Sequence, residues 1–133
     1  MKSERPWGWG LFLFLDILAL VFWPMVRFVI ELISPDFETL SWAALVQLMR
    51  LPALSCAALI AVVGLISRRG WGRWLLLAAT TLNYGLELLL IGLMFKMGFF
   101  NILSGGYLLM RPLLLLGAHW VYLNHHQVRR YLL

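Results

Sequence analysis

The hydrophobic and polar positions divide this chain into four long apolar runs separated by short polar turns. The runs cover about Gly10 to Ile33, Trp42 to Ile66, Trp74 to about Phe95, and about Ile102 to Tyr122. A helix crosses the hydrocarbon core of a bilayer in about 20 residues, at a rise of about 1.5 Å each, so every run is long enough to span. The breaks carry turn-forming residues: Ser34-Pro35-Asp36, Ser67-Arg68-Arg69-Gly70, and Lys96-Met97-Gly98 with Asn101. Pro24 falls inside the first run and predicts a kink, which a lipid-embedded helix tolerates when neighbours satisfy the freed carbonyl. The pattern predicts an all-α polytopic membrane protein, a four-transmembrane-helix bundle that takes up residues 1–133 as one domain. The tail from Leu123 to Leu133 reads as a basic surface segment, a short helix at most.

Helical spacing of three and four positions then sorts the polar residues within each run. In the first, Asp16, Leu20, Trp23, Arg27 and Glu31 share a stripe; in the second, Arg50, Ala53, Ala57, Ala61 and Gly64 do. In the third the stripe is Thr80, Asn83, Tyr84, Glu87 and Ile91; in the fourth it is Tyr107, Arg111, Ala118 and Tyr122. Small residues at this spacing let helix backbones approach, so the second stripe predicts a packing face. Charges inside spans are costly against lipid and are expected to turn toward one another. At the helical rise, Glu87 lies about 20 Å and Arg111 about 17 Å from the ends nearest the basic clusters, which predicts a Glu87–Arg111 pair. Arg27 is placed to pair with Glu31, four positions on. Arg50 is left as the surplus cation, and Asp16 stands apart with Asn83 or His119 in reach, or holding a proton itself.

Composition strengthens the membrane reading. At 62% hydrophobic and 13% charged, the chain is far from the composition of a soluble domain, where about a quarter of residues are charged. The net charge of +5 does not point to nucleic acid, because the basic residues outside the spans sit at helix ends. Lys2, Arg5, Arg68, Arg69, Arg73, Arg129 and Arg130 fall on one side, against Lys96 on the other, so the positive-inside bias makes both termini cytoplasmic. Anionic lipid headgroups are the expected partners of such clusters. Lys2 and Arg5 ahead of an apolar run imitate a signal peptide, but the run is too long, so it reads as an uncleaved first helix. Cys56 is the one cysteine, which rules out an intrachain disulfide.

Arg5-Pro6-Trp7-Gly8 is echoed by Arg69-Gly70-Trp71-Gly72, each ahead of an odd-numbered run. A duplicated helical hairpin explains the echo, and so does a shared interfacial start signal.

Candidate chemistry is limited to the charges. His119, His125 and His126 lack a second ligand group at metal or haem spacing, and His119 reads as an interfacial polar residue. Neither a phosphate-binding loop nor a nucleophile motif is present, so no enzyme, cofactor or metal is expected. The charge cluster of Arg27, Arg50, Glu87 and Arg111, with Asp16, Glu31, Asn83, Tyr84 and Tyr107 around it, supports two accounts. In one, paired charges fix helix register; in the other, the arginines bind an anionic group. The functional reading is a non-enzymatic accessory or binding subunit that recognises an anionic lipid headgroup or a partner helix. The alternative is a small proton-coupled transporter acting as a homo-oligomer, with Asp16 or Glu87 as proton carrier.

Gly8-Trp9 leading into an apolar helix with Pro24 and Arg27, and Arg111 through Trp120 and Tyr122 followed by Val128-Arg129, resemble an uncharacterised bacterial family. Its members are small four-helix inner-membrane proteins whose first span reads Gly-Trp-Leu, later followed by Pro-x-x-Arg. The likeness covers about a third of the chain, and Gly10 ahead of Leu11 departs from the pattern. It implies a bacterial inner membrane and gives weight to Arg27 and Arg111, without supplying an activity.

Overall fold

The computed structural model describes residues 4–34, 41–98 and 101–133, without the side chains of residues 102 and 104. Among the described residues the chain is helical, with no strand. Helix α1 covers Trp9–Ile33, α2 Trp42–Ile66, α3 Gly70–Lys96, α4 Ile102–Asn124, and the short α5 His126–Tyr131. By length and apolarity, α1, α2 and α3 are each able to cross a membrane. Successive helices pack against one another, α1 on α2, α2 on α3 and α3 on α4. Side chains then tie α4 back to the start of α1. Phe12 stacks on Tyr122 at 4.4 Å, and the Tyr122 hydroxyl donates to the Trp7 carbonyl at 2.9 Å.

Several boundaries have local causes. Gly8 adopts a left-handed conformation with φ of 73°, which suits glycine, and its carbonyl accepts from Phe12 at 2.8 Å as α1 begins. Ser41 caps α2, its hydroxyl accepting from the Ala44 amide at 3.3 Å. Within α1, Pro24 has no amide hydrogen and its ring crowds the carbonyl four residues back, that of Leu20. The effect takes the form of a π-helical stretch over Ile17–Phe22, just ahead of the proline. The Ser55 hydroxyl on α2 donates to the Val21 carbonyl at 2.9 Å, supplying the outside partner that such a disturbed backbone requires.

Two expectations need correction. Helix α3 begins at Gly70, not Trp74, because Gly72 serves a close helix contact instead of a loop. A Cβ on Gly72 would stand 2.8 Å from backbone atoms of Ala61, Gly64 and Leu65. The second correction concerns the tail. Val128, Tyr131 and Leu132 are buried, Tyr131 meets Trp9 edge-on at 5.4 Å, and Arg68 lies over the Tyr131 ring at 4.4 Å. The tail therefore closes the core at this end. The Arg69–Gly72 echo also differs from its counterpart: Gly8 makes a turn before α1, whereas Gly70 and Gly72 lie inside α3.

The small-residue stripe of α2 divides into two halves. Ala61 and Gly64 are buried against α3, while Ala57 is half-buried and Ala53 exposed. On α3 the buried positions Gly72, Leu76, Leu77, Thr80 and Tyr84 stop at the middle of the helix. The core thus gathers at the end shared by the start of α1, the α2–α3 turn and the tail. Toward Trp42 and Lys96 the helices leave space.

Gly72→Ala is expected to lower thermal stability in detergent by about 1–3 kcal/mol, because the added methyl meets backbone that cannot rotate away. An unchanged melting temperature would show that the α2–α3 contact is looser than described.

A candidate intramembrane anion site

The charged stripes meet where the core thins. Arg27 of α1, Arg50 of α2, Glu87 of α3 and Arg111 of α4 line one cavity of about 120 Å³. Asn83 and Tyr84 line it as well, with Leu20, Trp23, Pro24, Leu51 and Leu54 as the apolar wall. Four separate helices contribute one charge each, which is what the stripe arrangement requires. Arg50 and Glu87 are half-buried, while Arg27 and Arg111 stand at the exposed rim. Glu31 joins Arg27, Gln47 and Arg50 around an adjoining cavity of about 240 Å³. Tyr107 is 78% exposed and does not line either cavity.

The expected pairings are not formed. Glu87 and Arg111 share the cavity but are not within the 4.0 Å of an ion pair, and neither are Arg27 and Glu31. Four side chains spread around a space, each reaching from its own helix, do not collapse onto one another. The cavity therefore carries three cations against Glu87. Arg50 is the most constrained of them. Its Nε and Nη1 have almost no accessible surface and no hydrogen-bond partner. Shielded guanidinium nitrogens without an acceptor are costly, and the cost is relieved by any oxygen anion that reaches them.

The one ion pair among the described residues joins Asp16 to His119, one of the two partners placed in its reach by the sequence. His119 Nε2 lies 2.8 Å from Asp16 Oδ1, with both side chains buried. His119 Nδ1 lies 2.7 Å from the Leu115 carbonyl, which can only accept, so Nδ1 carries a hydrogen. The Nε2–Oδ1 contact then needs one further hydrogen, from an imidazolium or from a carboxylic acid. In either form the pair is neutral as a whole. The other Asp16 oxygen, Oδ2, is shielded and has no partner. His119 is thus a buried, paired residue.

Tyr84 connects the two charge centres. Its buried ring lies 6.3 Å from His119, lines the arginine cavity, and is within electrostatic reach of Asp16, Arg111 and Glu87. Nearby, Thr80 returns its hydroxyl to the Leu76 carbonyl at 2.8 Å and stays within its own helix. Thr80 lay on the α3 stripe, whereas Ser55 and His119 had no charge stripe to mark them. Only the contact of His119 with Asp16, across 103 positions, brings it into the site.

Comparison with models of known protein families, with curated proteins and with solved structures finds no match.

Removing one partner of the Asp16–His119 pair leaves a buried polar group alone. Asp16→Ala and His119→Ala are each expected to cost about 3 kcal/mol of stability, and the double variant less than their sum. Strictly additive losses in a detergent unfolding series would mean that the two residues act independently.

Proposed function

We propose that this chain is a four-helix transmembrane bundle that binds the anionic phosphate headgroup of a membrane lipid through Arg27, Arg50 and Arg111. It acts as a non-enzymatic binding or accessory subunit, alone, as a homo-oligomer, or with a larger membrane partner. The observation that carries this reading is the excess of cations around the cavity, with two Arg50 nitrogens buried and unpartnered. Three guanidinium groups from three helices match the spread oxygens of a phosphate, which accepts hydrogen bonds from several directions. A cavity of about 120 Å³ has room for a phosphate.

Both termini are assigned to the cytoplasmic side. Arg68 stacking on Tyr131 and Trp7 meeting Tyr122 bring the N-terminal segment, the α2–α3 turn and the tail to one end. That end holds Arg5, Arg68, Arg69, Arg73, Arg129 and Arg130, as a cytoplasmic face does. The resemblance of the first and last helices to a bacterial family makes the inner membrane the proposed location.

A second reading has its own observation. The Asp16–His119 contact holds one hydrogen between two buried side chains, and the Tyr84 ring lies near His119 and lines the cavity. A proton-coupled transporter built on this arrangement would use Asp16, with His119, as the carrier. Glu87 would then balance the arginines.

Native mass spectrometry of the protein released from bilayers containing phosphatidylglycerol distinguishes these readings. The binding reading expects a retained anionic lipid that Arg50→Ala removes and Asp16→Asn leaves in place. Retention unaffected by Arg50→Ala would contradict it. In proteoliposomes the transporter reading expects proton-driven flux that Asp16→Asn abolishes, and its absence would dispose of that reading.

A further inference from the structure

Arg50 lines more than the polar cavity. It also stands at the end of an apolar groove of about 320 Å³ between α2 and α3, walled by Ala53, Ala57, Ala79, Leu82 and Leu86. The groove and the polar cavity share Arg50, Leu54 and Asn83, so the two spaces adjoin across the guanidinium. It exists because the small-residue face of α2 is used for helix packing only at Ala61 and Gly64. Beyond them, toward Arg50, Ala53 and Ala57 leave a depression that α3 does not fill.

The direction of this groove matters. Arg50 lies about 12 Å from the Trp42 end of α2, and Ala53 and Ala57 follow it toward the membrane centre. On the antiparallel α3, Leu86, Leu82 and Ala79 descend the same way. A charged acceptor site therefore sits on the outer side of an apolar channel that runs inward from it. That is the order of a phospholipid, whose phosphate leads and whose chains point to the bilayer midplane.

We propose that one acyl chain of a phospholipid occupies the α2–α3 groove while its phosphate meets Arg50. The lipid belongs to the leaflet at the Trp42 end. The inference rests on the headgroup reading above and adds to it the chain, its path and the leaflet. Charge complementarity selects the occupant: a partner helix would fill the groove but leave the Arg50 nitrogens without an acceptor. Packing in lipid rewards close van der Waals contact, since apolar burial alone gives no advantage there.

The test separates chain from headgroup with two probes, long-chain phosphatidylglycerol and soluble dihexanoyl phosphatidate. Each is titrated against the full chain in detergent and followed by native mass spectrometry. Ala57→Phe fills the groove, and Leu82→Trp does so from the other wall should the first variant fold poorly. The expected result is a loss of about tenfold in affinity for the long-chain lipid with the short-chain probe unchanged. Arg50→Ala is expected to weaken both. Unchanged long-chain binding in folded groove variants, or equal losses of both probes, overturns the groove assignment while leaving the headgroup reading standing. Wild-type protein that binds neither probe overturns both.

Discussion

A guanidinium surrounded by helices, with two nitrogens shielded and without a hydrogen-bond partner, sets the terms for the rest of this molecule. In water the same group would be solvated at no cost; within a span it must be answered by a counter-charge, by a neighbour or by a ligand. Glu87 faces the same cavity without closing on any arginine, and Glu31 lies in the next one. The excess of positive charge around Arg50 is then a property of the fold. It follows from placing one long charged side chain on each of four helices at similar depth. Such a side chain packs its apolar stem against the wall and holds its head in the common space.

The position of the site follows from where the chain spends its apolar packing. Glycine at Gly64 and Gly72 draws α2 and α3 together near the α2–α3 turn, and Trp9, Tyr131 and Leu132 close the same end. Helices in contact at one end and less filled at the other leave room where the charges lie. Pro24 contributes as well, since it lines the cavity and follows the π-helical stretch of α1. The Asp16–His119 pair lies between core and cavity. There it fixes α1 to α4 through a contact that only a matched donor and acceptor can make.

Much of this was legible in the sequence. The limits of α2 and the presence of the other long helices follow from apolar run length. The gathering of Arg27, Arg50, Glu87 and Arg111 follows from helical spacing and the cost of charge in lipid. What spacing could not give was contact. A depth calculation places Glu87 and Arg111 alike, yet helix separation and rotation decide whether they touch. His119 was one of two partners in reach of Asp16, and with 103 positions between them spacing alone could not choose it over Asn83. The buried tail escaped notice for a similar reason: Val128, Tyr131 and Leu132 are a weak apolar pattern until a partner surface exists. Division of the α2 stripe between packing and groove depends on how far α3 diverges, which no local pattern encodes.

Solid-state NMR of the protein in phospholipid bilayers tests the central claim most directly. Dipolar dephasing between labelled arginine guanidinium carbons and lipid phosphorus reports which arginines hold a phosphate. With arginines assigned by single substitution, the account predicts strong dephasing at Arg50, matched at Arg27 or Arg111 and lost when Arg50 is replaced. Dephasing confined to Arg68, Arg69, Arg129 and Arg130, with Arg50 silent, would show that phosphate meets only the helix ends and would contradict an intramembrane anion site.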